Sequence, residues 1–319
     1  MRDYLAKREI TRGNPVVLQI EVTNRCTMKC PMCPRTHMNR RITDMDFDLF
    51  KQIIDQNKHC AEFAILHLMG EPLLHTQLPE MIGYCKKAGI RTVISTNATV
   101  LQTELDQKLI ANGLDVIIFS VDGHDKNTYE SIRQGGTLEN VITNIKRFLN
   151  VKGRQSPYAV LQLINIPEVV SHIEEIREQW SEIPNIDLAI KPFTNWQGDI
   201  DRIGKIGGKE SSPNLDSVIC DRPWTWLTVL ATGEVVPCCR DYNGTVILGD
   251  LNKNSTIDIW NGDAMKCFRR SHSSGRSKVP ICARCDVNPV VAKSCAVRLA
   301  YRFLDQYTLY RLMYLFERL

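Results

Sequence analysis

Between residues 15 and 192, short apolar runs alternate with amphipathic stretches of helical period. The runs at 16–22, 63–68, 91–95, 116–121, 159–164 and 186–190 predict strands. The stretches at 47–54, 78–88, 103–112, 128–132, 138–151 and 170–182 predict helices filling the gaps. Repeated strand–helix units imply a parallel sheet with helices outside it, an α/β architecture. Eight units close a TIM barrel, so the six here predict a partial, open (βα)6 TIM-like barrel. Ligands of such sheets sit beyond the carboxyl ends of the strands, where the chemistry should be sought.

The pattern changes after Phe193. Residues 196–217 are rich in Gly, Asp, Ser and Lys with little periodicity, which predicts a linker. A smaller cysteine-rich module follows at 218–296, with hairpin-like segments 226–230 and 234–237 about the turn Ala231-Thr232-Gly233. The expected organisation is a core at 1–195, the linker, the module, and an aromatic, basic helix at 297–319. That last helix is expected to pack on the barrel or form a dimer contact, with a membrane surface as the alternative.

Composition narrows the class. With 40 Lys and Arg against 36 Asp and Glu, the net charge of +4 is too small and too interspersed to argue for nucleic acid. No apolar run reaches membrane-spanning length and the first residues lack a signal-peptide core, so a cytoplasmic protein is expected. Twelve cysteines in such a chain point to metal ligands or redox thiols rather than disulfides. Cys60 and Cys85 lie in helix-like stretches and read as ordinary packing.

Cys26, Cys30 and Cys33 form a C-x3-C-x2-C triplet directly after the first predicted strand. Thiolates favour iron–sulfur clusters or zinc, and three are one short of a closed four-ligand site. A four-iron cluster held this way keeps one iron open for a small molecule with an amine and a carboxylate. A zinc site borrowing a remote ligand such as His37 is the alternative. The triplet resembles the signature of the radical S-adenosylmethionine (radical SAM) enzymes. That resemblance implies a 4Fe–4S cluster that binds S-adenosylmethionine, an electron donor such as flavodoxin or ferredoxin, and a 5′-deoxyadenosyl radical that takes hydrogen from substrate.

The ends of the later strands extend the resemblance. Gly70-Glu71-Pro72 follows the second strand and is similar to the family's element that receives the cofactor's amino group. Glycine permits close backbone approach, and Glu71 offers an acceptor. Ser95 and Asn97 follow the third strand, resembling the ribose-contacting position. Ser120 and Asp122 end the fourth, and Arg133 lies just beyond. The resemblance implies that Ser120 and Arg133 help hold the cofactor's carboxylate and ribose. Glu21, Asn24, His67, Asn165 and Lys191 are further strand-end candidates for substrate contact.

A second set consists of Cys220, Gly233-x4-Cys238 and Cys282-x2-Cys285, with Cys239, Cys267 and Cys295 to spare. It resembles the SPASM and twitch domains appended to some radical SAM enzymes. The full SPASM cysteine run is absent, so four ligands closing one auxiliary 4Fe–4S cluster are implied, and structural zinc is the alternative. A closed cluster has no iron for substrate and suits electron transfer. The layout is similar to twitch-type aminocyclitol dehydrogenases, which implies oxidation of a carbohydrate or aminocyclitol-like metabolite. Two alternatives stay open within the class: epimerisation with Cys239 as hydrogen donor, and peptide modification, which the mere 25 residues before Cys26 disfavour. Outside it stands a non-catalytic iron–sulfur or zinc protein.

Overall fold

A computed structural model describes residues 2–154, 156–196, 200–206 and 219–286. Cys295, the expected terminal helix at 297–319 and most of the expected linker lie outside the described residues.

The six predicted strands form, as β1 (Val17–Ile20), β2 (Phe63–Ile65), β3 (Arg91–Thr96), β4 (Val116–Ser120), β5 (Tyr158–Asn165) and β6 (Asp187–Pro192). Each pairs in parallel with the next. A short α1 (Arg2–Leu5) precedes them, and the connections hold α2 (Phe47–Asn57), α3 (Leu78–Lys87), α4 (Thr103–Ala111), α5 (Lys126–Ile132) and α6 (Leu138–Lys152). The helix expected over 170–182 is instead two, α7 (Pro167–Val170) and α8 (Ile173–Ser181). Local chemistry explains the starts. Asp46, for example, caps α2 by accepting the Asp48 and Leu49 N–H groups.

The sheet does not stop at six strands. After α9 (Asp201–Ile206) and α10 (Arg222–Thr225), β7 (Trp226–Val229) pairs in parallel with β1, opposite β2. The predicted hairpin follows, with β8 (Glu234–Val236) antiparallel to β7 and β9 (Gly249–Asp250) beyond it. The order is β6-β5-β4-β3-β2-β1-β7-β8-β9, so the cysteine-rich module continues the barrel's own sheet. It ends in α11 (Thr256–Trp260), α12 (Asp263–Ser273) and α13 (Pro280–Ala283).

Both faces of the parallel strands are covered, and all five residues of β4 are buried. Leu18, Ile117, Phe119 and Leu161 pack outward under the helices. Phe63, Val116, Ile118, Val160 and Ala189 form a separate inner cluster with Val17 and Val93 against it. Strand alternation then puts Gln19, Ser95, Ser120, Gln162 and Lys191 on the same inner face, one step nearer the carboxyl ends. The lumen is thus plugged by apolar side chains at its base and polar above. Glu21, just past β1, is completely buried, clasped by Arg40 at 2.7 and 2.8 Å, and accepts the Ala231 N–H at 3.1 Å. Arg40 Nε also donates to the Tyr242 carbonyl at 2.7 Å, tying the module to the barrel mouth.

Candidate active site and second cysteine site

The loop after β1 carries Cys26, Cys30 and Cys33, all as free thiols. Backbone contacts fix it: Lys29 N donates to the Gln134 carbonyl at 2.9 Å and Glu71 N to the Arg25 carbonyl at 2.7 Å. Gly70 is required here, since a Cβ would lie 2.2 Å from the Thr23 carbonyl oxygen. Gly135, at φ +103°, packs so closely on the Thr27 carbonyl that a Cβ would approach it to 2.9 Å. Met28 N lies 3.4 Å from Cys26 Sγ, and Asn97 Nδ2 lies 3.8 Å from the same sulfur. Burial pushes the Cys26 thiol up and Cys33 to about 11, and neighbouring thiols of the triplet add to both. Such thiols become thiolates only against a compensating cation, and N–H donors to sulfur suit a cluster. The donor set fits iron–sulfur ligation. His37, the alternative ligand, is exposed on a short turn after Cys33.

Glu71 is buried, and its carboxylate accepts from Thr96 Oγ1 at 2.7 Å, Asn97 N at 2.7 Å and Leu73 N at 3.2 Å. Burial outweighs these bonds and moves its pKa up to about 7. Pro72 opens the 3-10 turn Pro72–Leu74 that Glu71 caps. Asn97 Nδ2 also reaches Thr27 Oγ1 at 3.2 Å, and Ser95 Oγ lies 3.2 Å from Ser120 Oγ across β3 and β4. Asp122 is completely buried. It accepts from Arg133 Nε at 2.7 Å and, on its other oxygen, from Ile164 N at 2.6 Å. The structure therefore gathers the triplet, Gly70, Glu71, Asn97 and the Asp122–Arg133 pair about one mouth of the sheet.

The broader candidates divide. Asn24 is consumed by the loop, donating to the Arg41 carbonyl and accepting from Thr43 N, and Glu21 is consumed by Arg40. Asn165 is exposed at the end of β5. His67 Nδ1 accepts the Ser95 N–H at 3.0 Å, and burial first, then Lys191, hold its pKa down to about 3. Lys191 also acts on Cys239, so it stands between the lumen and the second cysteine set.

In that set Cys220, Cys238 and Cys285 all act electrostatically on Cys282, whose thiol burial pushes up. Burial likewise moves Cys220 to about 11, and burial with Cys239 beside it moves Cys238 to about 12. Four thiols thus share one site. Among the described residues no three His, Cys, Asp or Glu side chains form a ready single-metal site. Burial raises Cys239 too, but Arg222, Arg240 and Lys191 outweigh it and leave the thiol below its usual value. Cys267 is exposed on α12.

Several residues at these sites carry no local sequence signal. Trp196 donates through Nε1 to the Met32 carbonyl between Cys30 and Cys33, at 3.1 Å, while its ring lies 5.1 Å from the Arg240 guanidinium, two residues past Cys238. Arg40 and His272, whose Nε2 accepts the Cys220 N–H at 3.2 Å, are the others. Only distance along the chain hid them, since each partner is far away in sequence.

The model of the radical SAM superfamily matches residues 20–179 and that of an iron–sulfur cluster-binding domain, SPASM, matches 220–286. A tungsten-containing aldehyde ferredoxin oxidoreductase cofactor-modifying protein of Pyrococcus furiosus is 26% identical over 79% of this chain and 82% of its own. An S-adenosyl-L-methionine-dependent 2-deoxy-scyllo-inosamine dehydrogenase of Niallia circulans is 24% identical over 85% of this chain and 92% of its own. Among solved structures, BtrN in complex with AdoMet and 2-DOIA superposes with a TM-score of 0.60 at 20% identity, covering 87% of this chain and 95% of that one. Streptococcus suis SuiB bound to precursor peptide SuiA gives 0.68 at 17% identity, covering 89% and 73%. With half its length matched by the family model, the chain belongs to the radical SAM superfamily, as an enzyme whose cofactors are S-adenosylmethionine and 4Fe–4S clusters, an auxiliary one included.

Proposed function

We propose that this enzyme oxidises a secondary alcohol of a small hydroxyl-rich metabolite, of the carbohydrate or aminocyclitol class. The observation that carries the reading is the polar lumen wall. Gln19 and Thr228, Cα partners across β1 and β7, are 6% and 1% exposed, and Gln19 Oε1 and Thr228 Oγ1 have no hydrogen-bond partner among the described residues. Buried polar atoms are ordinarily paired, so this wall suits a ligand bearing several hydroxyls. Likeness to the Niallia circulans dehydrogenase supports the same class.

In this reading Cys26, Cys30 and Cys33 hold the first cluster, and Cys220, Cys238, Cys282 and Cys285 the auxiliary one. When bound, the cofactors supply a 5′-deoxyadenosyl radical and an acceptor for one electron. The chain's own residues bind and orient. Glu71, its lone pairs engaged by three donors, stiffens the turn whose carbonyls receive the cofactor's amino group. Asp122 holds the Arg133 guanidinium that would meet the cofactor carboxylate, and Ser95, Asn97 and Ser120 would border the ribose. The apolar base of the lumen keeps water from the reacting carbon. Bound there, the cofactor would supply the acceptor for the substrate's carbinol hydrogen atom and the auxiliary cluster the acceptor for the remaining electron, with the hydroxyl proton leaving to solvent. We assign flavodoxin or ferredoxin as the reductant.

The test begins with anaerobic reconstitution. About eight irons should fall to about four when Cys26, Cys30 and Cys33 are changed to Ala, and Cys26→Ala should release no 5′-deoxyadenosine. Aminocyclitols and inositols carrying deuterium on the carbinol carbon are then supplied. Deuterium appearing in 5′-deoxyadenosine with one ketone formed per turnover is expected. Turnover with a peptide alone, or an epimer without a ketone, would sink the reading in favour of the alternatives within the class.

A further inference from the structure

Two arginines beside the second cysteine site present buried N–H groups that find no acceptor among the described residues. They are Nη1 of Arg222 and Nε of Arg276. Arg222 opens α10, two residues past Cys220, and its guanidinium lies 4.1 Å over the Trp226 ring of β7, which fixes its plane. From there it acts on Cys239, Cys220 and Cys238. Arg276 is 2% exposed, donates through Nη2 to the Cys285 carbonyl at 3.4 Å, and acts on Cys220 and Cys282. Between them the two cations address three of the four thiols, Cys220, Cys238 and Cys282, and Arg276 holds the backbone carbonyl of the fourth, Cys285. A third buried arginine behaves otherwise. Arg269 also has a buried Nη2 without an acceptor among the described residues, but it spends Nε and Nη1 on the Pro223 and Glu9 carbonyls, stacks on Trp260 and has Asp3, not a thiol, as its charged neighbour, so it fastens backbone together.

A buried cation needs both a counter-charge and acceptors for its N–H groups. Four thiolates around an iron–sulfur core meet both needs, because the assembly is anionic, its sulfurs accept, and its negative charge grows by one unit on reduction. Hydrogen bonds to the sulfurs and nearby charge are what set such potentials.

We infer that Arg222 and Arg276 are redox-positioning residues of the auxiliary site, donating to its sulfurs and favouring its reduced form so that it takes the electron left on the oxidised substrate. The inference rests on the proposed reading of that site as an electron acceptor. The electron comes from the substrate radical as its hydroxyl proton leaves to solvent, giving the ketone, and no further oxidant enters the step.

The test uses the full chain with Cys26, Cys30 and Cys33 changed to Ala, which retains only the second cluster, in redox titrations followed by electron paramagnetic resonance. Arg222→Gln and Arg276→Gln should each shift the one-electron equilibrium at least tenfold against reduction, about 59 mV. Arg222→Lys and Arg276→Lys should recover most of that shift. Loss of iron from both Gln variants but neither Lys variant would support the role equally, because charge is then what the cluster requires. Gln variants with full iron and a shift under twofold would overturn the inference while leaving the electron-acceptor reading intact. Iron lost from Gln and Lys variants alike would also overturn it, marking the arginines as framework. A parent chain holding zinc and no iron would remove the electron-acceptor reading itself, and the inference with it.

Discussion

Arg133 Nε meets the Asp122 carboxylate at 2.7 Å, joining the end of β4 to the turn after α5. Among the described residues Asp122 hydrogen-bonds only to Arg133 and the Ile164 N–H, so it acts through the guanidinium it holds. Asp122→Asn leaves that buried cation without its counter-charge. We expect a loss of about 3 kcal/mol in unfolding free energy and at least a tenfold weaker affinity for S-adenosylmethionine, measured by calorimetry on the reconstituted enzyme. An affinity equal to wild type would mean that Arg133 does not face the cofactor.

Glu71 gives the stability a pH dependence of unusual sign for a carboxyl. Its pKa of about 7 in the fold exceeds the ordinary 4.5, because burial outweighs its three donors. The folded state therefore holds the proton more tightly, and the group's contribution is full below pH 4.5 and lost as pH rises through 7. That is worth about 3 kcal/mol. Chemical unfolding of Glu71→Gln between pH 4.5 and 7.5 should lack this decline; parallel curves for variant and wild type would contradict it.

His272 works in the opposite direction. Burial first, then Arg276, lower its pKa to about 4, so its contribution is present above 6.5 and lost as pH falls toward 4. His272→Gln keeps an acceptor for the Cys220 N–H and should remove about 3 kcal/mol of acid sensitivity. The same unfolding series reads it, and an unchanged acid limb would rule it out. Because the two groups oppose each other between pH 4.5 and 6.5, the wild-type profile there should be flatter than either variant's.

Glu21→Gln should cost about 3 kcal/mol, since the buried Arg40 loses its partner. The Ala231 amide, which donates to Glu21, should then exchange its hydrogen faster than amides within β4. Equal acceleration everywhere would point to general loosening instead of a local clasp.

The strands and helices were legible because each rests on its own residues: runs such as Val116-Ile-Ile-Phe of β4 can only be buried on both faces. The cysteines and Gly70-Glu71 were legible because their spacing is local. What the chain concealed was pairing across distance. Nothing in residues 226–229 says that they lie beside β1, and nothing in Glu21 says that its carboxylate belongs to Arg40 and a turn more than two hundred residues on. Asp122 and Arg133 were both visible as polar residues, but only the fold shows that one is spent holding the other.

The pairing of β7 with β1 also governs how the protein can be divided. In a barrel piece ending at Asn195, β1 would lose its neighbour on one side and present a row of bare backbone N–H and C=O groups. Such a strand edge recruits other chains. The barrel by itself should therefore precipitate or dimerise through β1, and the two cluster sites should be inherited, purified and engineered only as one piece.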